Sequence, residues 1–442
     1  MATVNVVGAG LAGCEASVAL AKKGIDVRLF EMKPEKYSPA HHSDGFAELV
    51  CSNSLKAVKI DNASGLLKAE MKALGSLCIE AAEYSKVPAG GALAVDRDHF
   101  SKYITEKVRS YPNITVVNGE VKSLSELPPA DAVIIATGPL TAESLAEDIK
   151  KLTGNESLSF FDAAAPVVYF ESIDMEKAYK AARYGKGSAD YINCAMDKEQ
   201  YLAFYDALIN AGTADVKDFD DIKLYEGCMP VESMAKRGVD TLRFGPLKPV
   251  GLERPDGSLA YAVVQLRQDN EEGTLYNIVG FQTRLKFGEQ KRVFGMIPGL
   301  ENAEYARFGV MHRNTYIKSP GVLDKHYRFI GSKETPVYFA GQITGVEGYM
   351  ESASSGILAG IFASRELLGL EPVDFPVSTM VGALSNYVSG FSGKDFQPMG
   401  ANFGIMTSDA PELKTKIKDK ALKKKIIAER ALEIVREISA ML

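Results

Sequence analysis

The chain has no CxxC pair and no cysteine–histidine cluster at zinc spacing. Its five cysteines, Cys14, Cys51, Cys78, Cys194 and Cys228, make an odd, scattered count. A disulfide framework and a metal site are therefore not expected, and reduced thiols in a cytoplasm are the natural reading. No run approaches the roughly 18 uninterrupted apolar residues of a membrane helix. The opening MATVNVVGAG has no basic region followed by a long apolar core, so no signal peptide is visible. A soluble cytoplasmic protein with no membrane partner is expected. Excess positive charge is missing too. The formal net charge is −6, so the chain as a whole does not attract nucleic acid, and an RNA partner needs a local basic patch. Internal repeats and low-complexity tracts are absent. What remains is ordinary globular composition, 46% hydrophobic and 24% charged over 442 residues, enough for two or three domains with sizeable cores.

Residues 3–7, TVNVV, predict a short buried strand. GAGLAG follows, and LAGCEASVALAKKG carries small and apolar residues at helical spacing before closing at Gly24. IDVRLFE, 25–31, predicts a second strand, so a βαβ unit opens the chain. Gly8, Gly10 and Gly13, interleaved with Ala9, Leu11 and Ala12, give G-x-G-x-x-G between strand and helix. The first glycine permits the tight turn, the second admits a pyrophosphate to the backbone, and the third lets helix and strand pack closely. The helix N-terminus adds unpaired N–H donors. Glu31 ends the second strand, where an acid can bond a ribose hydroxyl and argues against a 2′-phosphate.

Further along, 46–86 reads as mostly helical, 87–97 as a Gly-rich turn between apolar runs, and 98–110 as a helix. ITVVNGEV and AVIIATG (132–138) read as strands. The character changes near 150. From there to about 300, aromatic-rich runs (APVVYFES, TLRFGPLKPV, LAYAVVQLR, TLYNIVGFQ) predict antiparallel strands, interrupted by helical patches at 174–183 and 198–211. A strand–turn–helix style returns at 336–366. The expected fold class is α/β. A discontinuous Rossmann-type FAD-binding domain (1–150 and 300–442) carries an inserted, mainly antiparallel-sheet α+β domain (151–299).

Two segments favour FAD as the tightly held dinucleotide. AVIIATG resembles the second strand–turn of two-dinucleotide flavoproteins. VYFAGQITGVEGY, followed by a small-residue helix, resembles their C-terminal flavin motif, in which Gly341, Gln342 and Gly348 would bring backbone toward the flavin. Among the thiols, Cys14 and Cys78 read as helical packing residues and Cys194 carries no signal. Cys51 (in CSNS) and Cys228 (in YEGCMPVES) sit in non-periodic, turn-forming stretches, the second flanked by Gly227 and Pro230. The thiolate is the reactive form and a free cysteine titrates near about 8.5. Spacing alone leaves either thiol open to a reactive role or to burial.

GAGLAG, PAHHSDGFAELVCSNSLK, VPAGGALAVDRDHF, YEGCMPVESMAKRG, GFQTRLKFGEQKRVFGMIPGLENAEYARFGVMHRNTYI and FAGQITGVEGYMESASSGILAG together resemble the folate- and FAD-dependent tRNA (uracil-5-)-methyltransferases. More distantly, the chain resembles the FAD-dependent enzymes that modify the tRNA wobble uridine. The resemblance implies transfer of a one-carbon unit from 5,10-methylenetetrahydrofolate to C5 of a T-loop uridine in tRNA. Reduced FAD would supply electrons, and NADH or NADPH would re-reduce it. It implies that Cys228 adds at uracil C6, making C5 nucleophilic. Cys51 would lie beside the flavin, as base for the C5 proton or as a group that handles the flavin–methylene adduct. The two sulfurs must then converge on one ring.

Ser52, Asn53 and Ser54 would bond the flavin or the thiolate, or simply close their own turn. His312 and Tyr349 are candidates to cover the outer face of a pterin, and VPAGG (Pro88, Gly90, Gly91) to approach the same ring or form a plain turn. Arg284, Lys286, Lys291 and Arg292 form the candidate RNA-binding cluster. The C-terminal run Lys414, Lys416, Lys418, Lys420, Lys423, Lys424, Lys425 and Arg430 reads more simply as a solvated helix end. Phosphate contacts would make binding salt-sensitive, and a stacked target base would have to flip out. The same chemistry on ribosomal RNA, an FAD/NADH oxidoreductase of a small metabolite, and a non-catalytic RNA-binding flavoprotein are the alternatives.

Overall fold

Apolar, β-branched stretches form a five-stranded sheet in which every pairing is parallel. Its order is Val337–Phe339, Ala132–Ile135, Thr3–Val7, Asp26–Glu31, Ile114–Asn118. The first strand sits in the middle, and the chain leaves it to opposite sides. The carboxyl ends of the strands beside it therefore open a crevice at a topological switch point. The computed structural model describes residues 2–154, 158–185, 188–214, 229–393, 395–407, 417 and 419–442. The side chains of 158–162, 312 and 313 fall outside the description.

Two helices stack against this sheet and fix the crevice. The first, Leu11–Ala21, is buried along almost its whole length, and so is most of Tyr349–Leu367. They pack unusually close because Gly356 and Gly360 face Ala12 and Ala16. A Cβ on Gly356 would stand 2.2 Å from the Ala12 carbonyl oxygen. Buried carboxylates tie neighbouring helices on. Glu15 accepts from the amides of Leu77 and Cys78, and Glu70 from those of Met380 and Val381, all at 2.8–3.0 Å. Each thus satisfies the orphan donors of a helix N-terminus.

A six-stranded antiparallel sheet forms the second layer, in the order Ala178–Ala181, Tyr191–Met196, Ala262–Gln268, Leu275–Ile278, Val167–Tyr169, Tyr305–Arg307. It has its own core, with Tyr201, Phe204, Phe281 and Phe294 buried. A two-stranded ladder, Met311–Tyr316 with Leu158–Ala163, runs past the crevice. The Rossmann-type sheet and the antiparallel sheet give the α/β class expected.

Several local expectations fail. Residues 46–62, read as helical, form an extended segment with a strand at Ser54–Ala57, and helices begin only at Ala63. The patch 174–183 contains the strand Ala178–Ala181, which is edge-paired to Tyr191–Met196. TLRFGPLKPV, read as a strand, contains the helix Thr241–Phe244. The two shorter segments are too brief for periodicity to separate the two states, and in all three tertiary pairing decided.

Candidate active site

The glycine loop works by steric exclusion. Gly8 has φ +100°, and a Cβ there would stand 2.7 Å from the Ala136 oxygen. A Cβ on Gly13 would lie 1.8 Å from the Gly8 oxygen. Both glycines let strand, turn and helix close on one another. Gly10 is different: nothing lies within 4 Å of its would-be Cβ. It opens on the crevice and caps the first helix without a side-chain bond, leaving first-turn N–H groups for an outside acceptor. Both Glu31 oxygens are held by backbone, accepting from the Ala9 amide at 2.9 Å and the Lys33 amide at 3.0 Å. The cleft is open to solvent and spans about 1410 Å³, open solvent included. Gly8 to Ala12 and Glu31 line one stretch of it, and Gly138 to Ala142, after AVIIAT, another. Gly13 does not line it.

The far wall comes from the C-terminal motif. Gly341 (φ +85°) donates its amide to Ser355 Oγ at 2.7 Å, and its would-be Cβ would stand 3.1 Å from Ala12 Cβ. Gly341, Gln342 and Tyr349 line the cleft. Gly348 does not; its φ of +121° forms the corner that starts the helix, where a Cβ would meet Glu351.

Cys51 lines the same cleft, half-buried. Its segment is docked at many points. The Ala47 amide donates to Ala9 O at 3.0 Å, joining it to the glycine loop. Arg97 Nη1 donates to Leu49 O at 2.8 Å, while its guanidinium pairs with buried Asp269 at 3.2 Å. The amides of Cys51 and Ser52 both donate to the Tyr349 hydroxyl oxygen, at 2.7 and 3.2 Å. Burial raises the Tyr349 phenol well above its ordinary range, keeping it neutral. Cys51 Sγ lies 3.8 Å from the Ala163 carbonyl oxygen.

The polar neighbours of Cys51 face the protein. Asn53 is fully buried and donates to Val95 O and Gln268 O at 3.1 and 2.9 Å. Arg267 reaches from the antiparallel sheet to Asn53 Oδ1 at 3.1 Å and Ser52 Oγ at 2.9 Å. Ser52 Oγ also accepts from the Ser54 amide at 3.1 Å. The loop is therefore a strut between the two sheets, with its side chains committed to holding it. Burial pushes the Arg267 guanidinium down from its usual range, yet both acceptors need it. Arg267→Met is expected to destabilise the fold by about 1–3 kcal/mol, because the buried Asn53 Oδ1 loses its donor and the half-buried Ser52 Oγ loses one of two. An unchanged urea midpoint would contradict this.

The other described thiols, Cys14, Cys78 and Cys194, are fully buried. Burial pushes Cys14 and Cys78 far above the ordinary thiol range and Cys194 up to about 12. Cys228 lies outside the described residues. His312 sits on the strand Met311–Tyr316, with its backbone opposite Asp162; its side chain is not described. Asn314, two residues on, lines the cleft. Pro88, Gly90 and Gly91 do not line it; the Gly90 amide is held by Asp190 at 2.7 Å. Of the basic cluster, Lys286, Lys291 and Arg292 are exposed, and Arg284 is half-buried. Lys414, Lys416 and Lys418 lie outside the described residues. Lys420 to Arg430 lie on the helix Lys420–Ser439, where Arg430 pairs with Glu433 and Lys425 with Glu429.

Arg97, at the start of the helix Arg97–Ser110, and Arg267 and Asp269, at the end of the strand Ala262–Gln268, gave no sequence signal that set them apart from other charged residues. His41 and Lys33, which also line the cleft, were not singled out either. Burial lowers the His41 imidazole below its ordinary range. Among the described residues no helix is long and apolar enough to cross a membrane, and no group of acids, histidines and cysteines could hold a metal ion.

Comparison with known proteins follows the same lines. The family described as "Glucose inhibited division protein A" matches residues 3–371. A protein of Acetivibrio thermocellus named methylenetetrahydrofolate--tRNA-(uracil-5-)-methyltransferase TrmFO is 60% identical over 435 residues, covering 98% of each chain. One of the same name from Caldicellulosiruptor bescii is 58% identical, covering 99% of this chain and 98% of its own. Among solved structures, GidA of Aquifex aeolicus superposes with a TM-score of 0.69 at 16% identity, covering 99% of this chain and 73% of that one. That last likeness speaks to the fold.

Proposed function

The chain belongs to the methylenetetrahydrofolate--tRNA-(uracil-5-)-methyltransferase family, and from that premise we propose that it forms 5-methyluridine in the T-loop of tRNA, in the cytoplasm. The one-carbon donor is 5,10-methylenetetrahydrofolate. Bound FAD supplies the electrons that turn the methylene into a methyl group, and NADH or NADPH restores them. The observation that carries this reading is that one cleft is lined by both the Gly8–Ala12 loop with Glu31 and the Cys51 loop with Tyr349.

The residues present fit the cofactor. Gly10, with open space beside it, admits the pyrophosphate to backbone N–H donors. Glu31 accepts the ribose hydroxyls, and Gly341 and Gln342 bound the flavin end. Gly8 lines the cleft beside Gly10, and Gly13 and Gly348 shape its walls. Tyr349 and His312 cover the pterin. Tyr349 also fixes the Cys51 and Ser52 amides, which orients the thiol toward the cleft.

Uracil C5 is a poor nucleophile. The Cys228 thiolate adds at C6, and C5 then attacks the one-carbon electrophile. Cys51 takes the C5 proton as the carrier nitrogen leaves the one-carbon unit; a hydride, which reduced FAD would supply, then completes the methyl group as the Cys228–C6 bond breaks and the ring is restored. Arg284, Lys286, Lys291 and Arg292 neutralise RNA phosphates.

The test is direct. The yellow protein is incubated with labelled methylenetetrahydrofolate, NADH or NADPH, and unmodified tRNA or ribosomal RNA transcripts. Label in 5-methyluridine of the tRNA is expected. Nicotinamide oxidation with no RNA label would replace this reading with that of a small-molecule oxidoreductase. Label confined to the ribosomal transcript would move the substrate.

A further inference from the structure

Beside the cleft stands a column of aromatic rings that the reaction leaves unused. Tyr305 and Phe308 stack with centroids 4.9 Å apart and planes 8° apart. Phe308 and Phe287 stack at 4.6 Å and 18°. Phe287 ends the column and is 54% exposed, at the first position of the helix Phe287–Phe294. Core packing does not explain it, since Val293 and Phe294 bury that helix. Cations surround the column. Lys291 Nζ lies 5.7 Å from the Phe308 ring centroid, and exposed Lys286 immediately precedes Phe287. Arg292 is paired at 2.6 Å with Glu289, the acid on this face.

The column is next to the chemistry. Gly309, directly after Phe308, exchanges two hydrogen bonds with the buried Gln290 side chain, both at 2.8 Å. A Cβ on Gly309 would stand 2.9 Å from the Ala164 oxygen. Ala164 lines the cleft, and the Ala163 carbonyl before it is the one facing Cys51 Sγ.

We propose that Phe287 is a stacking platform for an unpaired base of the RNA substrate next to the target uridine, with Lys286 and Lys291 on the flanking phosphates. This rests on the RNA reading above and deepens it. A base that flips into the cleft leaves its neighbour without a stacking partner, and the exposed ring at the outer end of this column, joined to the cleft wall through Phe308 and Gly309, replaces that partner. Single-stranded nucleic acid is held in this way, by aromatic faces interleaved with cations. The local lysines are notable in a chain of net charge −6.

The experiment is filter retention of an unmodified tRNA transcript at fixed salt. Phe287→Ala is expected to weaken binding about 10-fold, within the range of one lost base stack. Phe287→Trp restores it, and Phe287→Leu, apolar but without a π face, does not. Lys286→Ala and Lys291→Ala each flatten the salt dependence by about one unit of slope, while Phe287→Ala leaves the slope alone. Should Phe287→Ala melt early, the Leu and Trp variants carry the comparison. Equal affinity of the Leu and Trp variants overturns the platform. A parent protein that retains no tRNA overturns the RNA reading instead.

Discussion

Cys51→Ser is expected to stay yellow and to lose methyl transfer by about 10²–10⁴-fold, the usual worth of a positioned acid–base group. Serine keeps the shape of the side chain. The bonds that hold the loop come from the Cys51 and Ser52 amides, Asn53 and Arg267, none of which the substitution touches. Cofactor content and melting temperature should therefore match the parent. What is lost is an ionisable sulfur, because a hydroxyl holds its proton far more tightly than a thiol. Cys228→Ser is expected to lose activity at least as severely, since the carbon–sulfur bond at uracil C6 can no longer form. The two are separable. Cys51→Ser retains the protein–RNA covalent species on a denaturing gel, and Cys228→Ser does not form it. Full 5-methyluridine formation by either variant would remove that sulfur from the mechanism.

The glycine loop yields the second large effect, with a contrast built in. Gly13→Val is expected to give colourless, poorly folded protein, because even a Cβ at 13 would sit 1.8 Å from the Gly8 oxygen and neither backbone can withdraw. Stripped of flavin, Gly10→Ala should melt with the equally stripped parent, since nothing in the protein lies within 4 Å of the added carbon. It should nonetheless lose flavin, by about 100-fold in Kd, because the methyl occupies the approach of the pyrophosphate to the helix N-terminus. Flavin absorbance per protein and a thermal melt distinguish the two. Gly10→Ala holding flavin as tightly as the parent would show that the crevice does not take the pyrophosphate at that point.

These predictions draw on different kinds of information. The glycine pattern, Glu31, the first strand and helix, and the C-terminal strand–turn–helix are visible in the sequence because each is a local matter. A turn needs glycine where φ is positive, and a buried strand needs an apolar run. The thiol loop is not of this kind. Ser52 and Asn53 left open whether they face a ligand or their own turn; Ser52 closes its turn by accepting from the Ser54 amide, but neither side chain is held by local bonds alone. Arg267, more than 200 positions away, claims both.

By itself, then, the sequence determined the dinucleotide crevice, the parallel sheet around it and the family's long motifs, since these depend on contiguous residues and their backbone conformations. Only the tertiary structure decided how Cys51 is held. It also decided that TLRFGPLKPV contains a helix and that Tyr305, Phe308 and Phe287 form one column. The reason is physical. A buried guanidinium or a stacked ring is stabilised by partners that folding brings from elsewhere in the chain, and no local pattern records which partners those will be.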